Sequence, residues 1–349
     1  MDERQLSELS VVIPNLHWRY SGVTATNRMV APRLGERAGW LGPDAPLGVA
    51  RLSLGDLWRL RLGAQRHRPR IWHARRNNEM LVGLLLKFLG WPFRLIFTSA
   101  AQRRHSWITR SLIARMDAVI ATSEASAAYL QRPASVVLHG VDPKIYCPPA
   151  DRAVAFAAAR LPGKYAIGCF GRVRTQKGTD VFVEAMCALL PKFPDFTAII
   201  IGPIDQRGFA AGLQARVAYA GLSERMRFFG ELPIEEVPRW YQRLTIYAFT
   251  SRNEGFGLTL LEAMATGVAL VAARSGGAED VVTDGETGLL VPPGDVDALV
   301  SALEPLMRVP QRATELGRNA RNRVLAEFTI DAEVERIAAV YRKVLDMPH

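Results

Sequence analysis

Cysteine is nearly absent from this 349-residue chain: only Cys147, Cys169 and Cys187 occur. Their spacing fits neither a zinc site nor a disulfide framework, so a reducing compartment is expected, with the three thiols acting as small buried hydrophobes. Long apolar runs are missing too. The longest, "MLVGLLLKFLGWPF", is too short for a bilayer span and carries Lys87, and the opening "MDERQLSELS" lacks the basic and apolar regions of a signal peptide. A cytosolic chain is the expectation. Internal short repeats and low-complexity tracts are absent, and 49% hydrophobic with 22% charged residues is ordinary globular composition over about two domains' length.

Negative charge is short in one half only. Residues 1–150 hold 21 Lys and Arg against 10 Asp and Glu, a net +11, whereas the rest holds 23 against 24, a net −1. Eight arginines fall between Arg51 and Arg76. Such a bias favours an anionic partner, whether nucleic acid, an acidic lipid surface or an acidic saccharide, and a solvated arginine-rich face is the competing reading.

Apolar β-branched runs alternate with helical patterns: "LSVVIPN", "RIWHA", "RLIFTSA", "DAVIATS" and "SVVLHG", then, after the proline-rich "GVDPKIYCPPADRA", "YAIGCFG", "TAIIIGP", "MRFFGEL", "TIYAFTS", "VALVAAR" and "GLLVP". Two series of this kind predict two α/β domains, each a Rossmann-like parallel sheet covered on both faces. Residues 1–148 and 149–330 are the expected domains.

Ligands of such sheets collect beyond the carboxyl ends of strands. Three of those loops in the second half suit phosphate: "RVRTQKG" with Arg172 and Lys177, "RNEGFG", and "SGGAED". Glycines let the backbone approach, helix N-termini offer unpaired N–H groups, and two cations add charge. Glu254 precedes the glycine turn, while Glu262 lies five residues after Gly257, roughly 7.5 Å up the next helix. In the apolar helix "LTLLEAMAT" a lone carboxylate is costly, so Glu262 needs hydrogen-bond donors, either ribose hydroxyls or structural partners. Asp295 and Asp297 form a D-x-D pattern, but "PPGDVDAL" reads as a loop and helix cap.

The stretch "EGFGLTLLEAMATGVALVAARSGGAEDVVTDGETGLLVPPGD" resembles the donor site of glycosyltransferase family 4, with its E-x7-E motif on the GT-B fold, and "GRVRTQKG", "HGVDPKIYCP" and "MRFFGELPIEEVPRWY" support the likeness. "VVIPNLHWRYSGVTATNRMV" and "IFTSAAQRRHSWITR" look like the lipopolysaccharide core mannosyltransferases of that family. The resemblance implies two domains facing across a cleft, the first for the acceptor and the second for a nucleotide-sugar, with residues 331–349 as a helix crossing back to the first. It implies retaining transfer of mannose from GDP-mannose to an inner-core sugar, Kdo, of a lipid A-linked precursor, with no metal or other cofactor. Arg172 and Lys177 would bind the diphosphate together with N–H groups of Phe256, Gly257 and Leu258, and Gly255 would belong to the donor site. Glu262 would hold the ribose, Glu254 the sugar hydroxyls, and Gly22 would let the first domain's backbone approach the donor. Catalysis would rest on Glu254, Arg172 and Lys177. Where many members carry a sugar-contacting histidine, this chain has Ser99 and Ala100, and His105 follows later, so the role is not transferred. A UDP- or ADP-sugar, another anionic lipid-linked acceptor, and an epimerase reaction stay open as alternatives. Nucleic acid is not an expected partner, and docking on the inner face of the cytoplasmic membrane is.

Overall fold

The computed structural model describes residues 3–17, 22–63 and 66–347. They divide into two compact units, one comprising residues up to Leu138 together with Ile330 onward, the other His139–Thr329. The division precedes the boundary after residue 148 that the prolines suggested, because the intervening segment is bound to the second unit. The Val141 N–H donates to the Phe328 carbonyl at 3.0 Å, the Gln242 amide donates to the Cys147 carbonyl at 3.0 Å, and Tyr146 meets Tyr241 edge-on.

The first unit contains strands β1 (Val11–Pro14), β2 (Ala38–Leu41), β3 (Ala50–Leu52), β4 (Arg70–Ala74), β5 (Phe93–Ser99), β6 (Ala118–Ala121) and β7 (Ser135–Val136). They form one parallel sheet in the order β3-β2-β1-β4-β5-β6-β7. Alternate side chains point to opposite faces. Val12, Trp72, Leu95 and Phe97 join one core with Leu57, Leu60, Met80 and Leu112 from helices Leu54–Leu62, Asn77–Phe88 and Trp107–Ala114. Val11, Ile13, Ile71 and Ile96 join the opposite core, which Ile337, Tyr341 and Val344 of the last helix, Ile330–Leu345, complete. That helix is therefore part of the first unit.

The second unit contains β8 (Tyr165–Phe170), β9 (Phe196–Ile201), β10 (Met226–Gly230), β11 (Ile246–Phe249), β12 (Ala269–Ala273) and β13 (Leu289–Val291). Their parallel order is β10-β9-β8-β11-β12-β13. Each strand is nearly all apolar because helices cover both faces, as the continuous hydrophobic runs require. Of the thiols only Cys169 is fully buried, with its pKa raised to about 11 by that burial; Cys147 and Cys187 are half-buried, short of the expected full burial. Among the described residues no helix is long and apolar enough to cross a membrane.

Candidate functional site

In the second sheet the strand order reverses between β8 and β11, which pair directly through Ile167 with Ile246 and Gly168 with Tyr247. Chain leaving the two strands goes to opposite sides, which opens a crevice at their carboxyl ends. The loops bearing Arg172, Lys177 and Glu254 are the two that flank this crevice.

Glycine lets these loops touch. A 3₁₀ turn, Thr175–Lys177, ends at Gly178 in the left-handed region with φ 65°, and a Cβ there would lie 1.9 Å from the Thr250 carbonyl oxygen. No other residue tolerates that approach. The β8 loop thus rests on the end of β11. The Thr250 hydroxyl donates to the Lys177 carbonyl at 3.1 Å, the Arg252 N–H to the Gln176 carbonyl at 2.9 Å, and the Gln176 amide to the Asn253 carbonyl at 2.9 Å. Arg252 also clamps Asp180 through two 2.7 Å bonds. The result brings Lys177 and Glu254, 77 residues apart, into an ion pair between side chains only about one-fifth exposed.

The Glu254 carboxylate also accepts from the Gly255 N–H at 3.1 Å. Phe256 is buried, its ring edge-on to His139 at 4.9 Å, and its carbonyl accepts the Gly277 N–H at 2.8 Å. The "SGGAED" loop therefore acts as a brace for the turn. Gly257 has φ 93°, with a would-be Cβ 2.8 Å from the Phe249 ring, and it directly precedes the helix Leu258–Ala265. Phe256, Gly257 and Leu258 have no hydrogen-bond acceptor for their N–H groups among the described residues. Open N–H groups at a helix start, beside an ammonium, suit a phosphate.

Arg172 stands apart from this pair. Half exposed, it reaches Asp205 at 3.4 Å, and Arg174 shares the same carboxylate at 3.6 Å. So long a contact at that exposure holds the guanidinium loosely and leaves it able to turn to an anion.

Glu262 lies mid-helix and accepts the Tyr241 hydroxyl at 2.8 Å. Burial raises its pKa, and hydrogen bonds from Tyr241 and Tyr146 oppose the rise. Tyr241 is itself fully buried among Phe170, Tyr146 and Tyr247. The donors that Glu262 needs are thus present in the protein as tyrosine hydroxyls. Sequence spacing did not reveal them, nor Asp205, Asp180 or His139, since each arrives by tertiary packing; the "RWY" segment was the only hint for Tyr241.

Gly22 belongs to the first unit and opens the helix Gly22–Val30. His105, six residues beyond Ser99, folds back so that its Nε2 is 3.2 Å from the Ser99 hydroxyl, and burial, then Arg103, lowers its pKa. Asp295 caps the helix Val296–Arg308 by accepting the Ala298 N–H at 2.9 Å, which accounts for the first carboxylate of the D-x-D pattern.

The family model described as glycosyl transferases group 1 matches residues 152–323. The chain is 46% identical to the lipopolysaccharide core biosynthesis mannosyltransferase LpcC of Rhizobium leguminosarum bv. viciae, with 97% of this chain and 98% of that one covered. It is 44% identical to the corresponding LpsB of Rhizobium meliloti (strain 1021), covering 97% and 99%. In fold it is similar to Alr3699/HepE of Anabaena in complex with UDP and glucose, at 21% identity and TM-score 0.81 over 96% of this chain and all of that one. Two parallel-sheet α/β units of seven and six strands constitute the GT-B fold.

Proposed function

Because the chain belongs to the group 1 glycosyl transferases, we propose that it transfers mannose from GDP-mannose, with retention of anomeric configuration, to Kdo in the inner core of a lipid A-linked lipopolysaccharide precursor. Likeness over nearly the full length to two lipopolysaccharide core mannosyltransferases supports the sugar and the acceptor class. The observation that carries the chemistry is the meeting of Lys177, Glu254 and the open N–H groups of Phe256, Gly257 and Leu258 at the β8/β11 crevice.

In this reading the donor diphosphate sits on the start of the helix Leu258–Ala265, between Lys177 and Arg172. Those groups stabilise the charge that develops as the sugar–phosphate bond breaks, so the leaving group needs no metal. Glu254, already beside Lys177, accepts hydrogen bonds from the sugar hydroxyls and orients the anomeric carbon. Glu262, held by Tyr241, offers its remaining oxygen to the ribose. In this reading the acceptor is anionic and lipid-linked, in keeping with the +11 charge of the first 150 residues, and transfer takes place at the inner face of the cytoplasmic membrane.

Thermal-shift screening across GDP-, UDP- and ADP-sugars tests the donor, because selective binding to the folded state raises its melting temperature. GDP-mannose is expected to stabilise most. Preference for a UDP- or ADP-sugar overturns the donor assignment, and conversion of the sugar without any acceptor makes the protein an epimerase. Proton NMR of the product linkage tests retention: an α-linkage is expected, and a β-linkage rejects it. Transfer should persist in EDTA.

A further inference from the structure

In the second unit the loop after β8, residues 171–177, lies along the loop after β9, residues 202–206. The Val173 N–H donates to the Pro203 carbonyl at 2.9 Å, the Asp205 N–H to the Val173 carbonyl at 3.3 Å, and the Thr175 N–H to the Gln206 side-chain oxygen at 3.0 Å. Gly202, at φ 146°, allows the approach, since a Cβ there would stand 2.0 Å from the Gly171 carbonyl oxygen. Asp205 is thus fixed by its own N–H and by its neighbour Gln206, whatever its carboxylate binds.

That carboxylate faces two guanidinium groups. A single Arg172 nitrogen stands 3.4 Å from both of its oxygens, and Arg174 reaches it at 3.6 Å. Nearby, Asp180 and Arg252 are joined differently, by two separate N–H groups at 2.7 Å each. Paired bonds of that length make a clamp, whereas a 3.4 Å contact from one nitrogen of a half-exposed arginine is readily exchanged. The Arg174 Nε is buried and has no acceptor among the described residues, so this second guanidinium has hydrogen-bonding capacity in reserve. Two cations therefore share one anion. When Arg172 turns to another anion, Arg174 keeps Asp205 partnered and no carboxylate is stranded.

The loops carry Arg172, Arg174 and Lys177 against Asp205 and Glu254, so their cations are largely opposed before any ligand arrives. In the proposed transfer, on which this inference rests, a nucleotide-sugar enters and a nucleoside diphosphate leaves. The product ends in a phosphate monoester, whose second ionisation at about pH 6 gives it one more negative charge than the donor at neutral pH. Unopposed cations would hold that product more tightly than the donor and delay its release. A fixed carboxylate beside Arg172 acts in the other direction: it competes with either ligand for the guanidinium and repels the more highly charged one more.

We propose that Asp205 is an intramolecular counter-ion, which yields Arg172 to the donor diphosphate, reclaims it after transfer and so favours release of the nucleoside diphosphate, while Arg174 holds Asp205 in the interval. Asp205 is a positioning residue that acts through Arg172.

The test is isothermal titration calorimetry of the full chain with GDP, UDP and ADP, and with GDP-mannose, UDP-glucose and ADP-glucose, at pH 7.5 and low ionic strength. For the diphosphate that wild-type protein binds best, Asp205→Asn is expected to bind about tenfold more tightly, and the nucleotide-sugar of the same base only about threefold more tightly. In an Arg172→Gln background the gain for the diphosphate should shrink to about threefold or less, because there is no guanidinium left to compete for. Melting of the ligand-free variants checks their fold; should Asp205→Asn not fold, Asp205→Ser is read in its place. Unchanged diphosphate binding by the folded variant overturns the proposal, and weaker binding does so by making Asp205 a residue that orients Arg172 toward the phosphate. A gain for the nucleotide-sugar as large as that for the diphosphate, or a full tenfold gain without Arg172, overturns it as well. Wild-type protein that binds none of the six ligands removes the donor reading itself, and this inference with it.

Discussion

The two units differ most at their surfaces. In the second, the exposed large apolar residues, such as Val154, Tyr219 and Val309, are spread over separate elements, and residues 139–329 are electrically balanced, with 21 Lys and Arg against 21 Asp and Glu. In the first, exposed Leu, Trp and Phe side chains gather on three adjacent helices, in a region carrying the whole excess of positive charge. One parallel-sheet architecture thus carries two kinds of surface. In the second unit glycine turns bring backbone N–H groups and charge together at a crevice; the first presents apolar side chains outward on several helices.

The comparison breaks most readily at Lys177. Lys177→Ala is expected to lower transfer by about 10²–10³-fold, the usual effect of removing one stabilising donor from a developing oxyanion, with melting of the nucleotide-free protein nearly unchanged. Turnover equal to wild type removes Lys177 from the mechanism. Glu254→Gln comes next, at about 10–100-fold, since it replaces a charged acceptor with a neutral one of the same shape. Steady-state transfer at saturating donor measures it.

The smallest effect concerns the first unit alone. His73 is buried between the Tyr341 hydroxyl and the Thr98 hydroxyl, each at 2.6 Å, and burial, then Arg75, holds its pKa well below the ordinary 6.5. The unfolded chain takes up a proton near pH 6.5 that the folded chain refuses. Stability from the neutral ring is therefore full above that pH and is lost as pH falls below it, about 1.4 kcal/mol by pH 5.5. Six of the seven tryptophans lie before residue 108, so tryptophan emission during urea unfolding follows mainly this unit. His73→Gln should flatten the difference between pH 7.5 and 5.5; an equal slope in the variant assigns the acid sensitivity elsewhere.

Much of this molecule was legible along the chain, for physical reasons. All eleven strands expected from apolar runs are present, because a doubly covered parallel strand must be apolar throughout. β2 and β3 were not foreseen: "AGWL" and "ARL" are short, poor in β-branched residues, and become strands through pairing with β1 and with each other. Leu54, Leu57, Trp58 and Leu62 have a helical spacing that a core stripe would also have, yet only Leu57 of the four is buried. Periodicity identifies a helix but does not say which stripe faces in when both are apolar. In the site, loop chemistry pointed to Lys177 and Glu254, yet their mutual contact depends on Gly178 against Thr250, a packing relation with no local signal.

The last helix gives the chain a temporal order. Ile330–Leu345 completes one core of the first unit, but His139–Thr329 must be synthesised before it. At ordinary translation rates that interval lasts roughly 10–40 s. Throughout it, the sheet face bearing Trp40, Ile71 and Ile96 waits without its final cover, and at its end the second unit has every residue of its own while the first still lacks its last helix. The half that begins first on the ribosome is the half that finishes folding last, and a nascent chain halted before Ile330 would carry a complete second unit beside an adhesive first one.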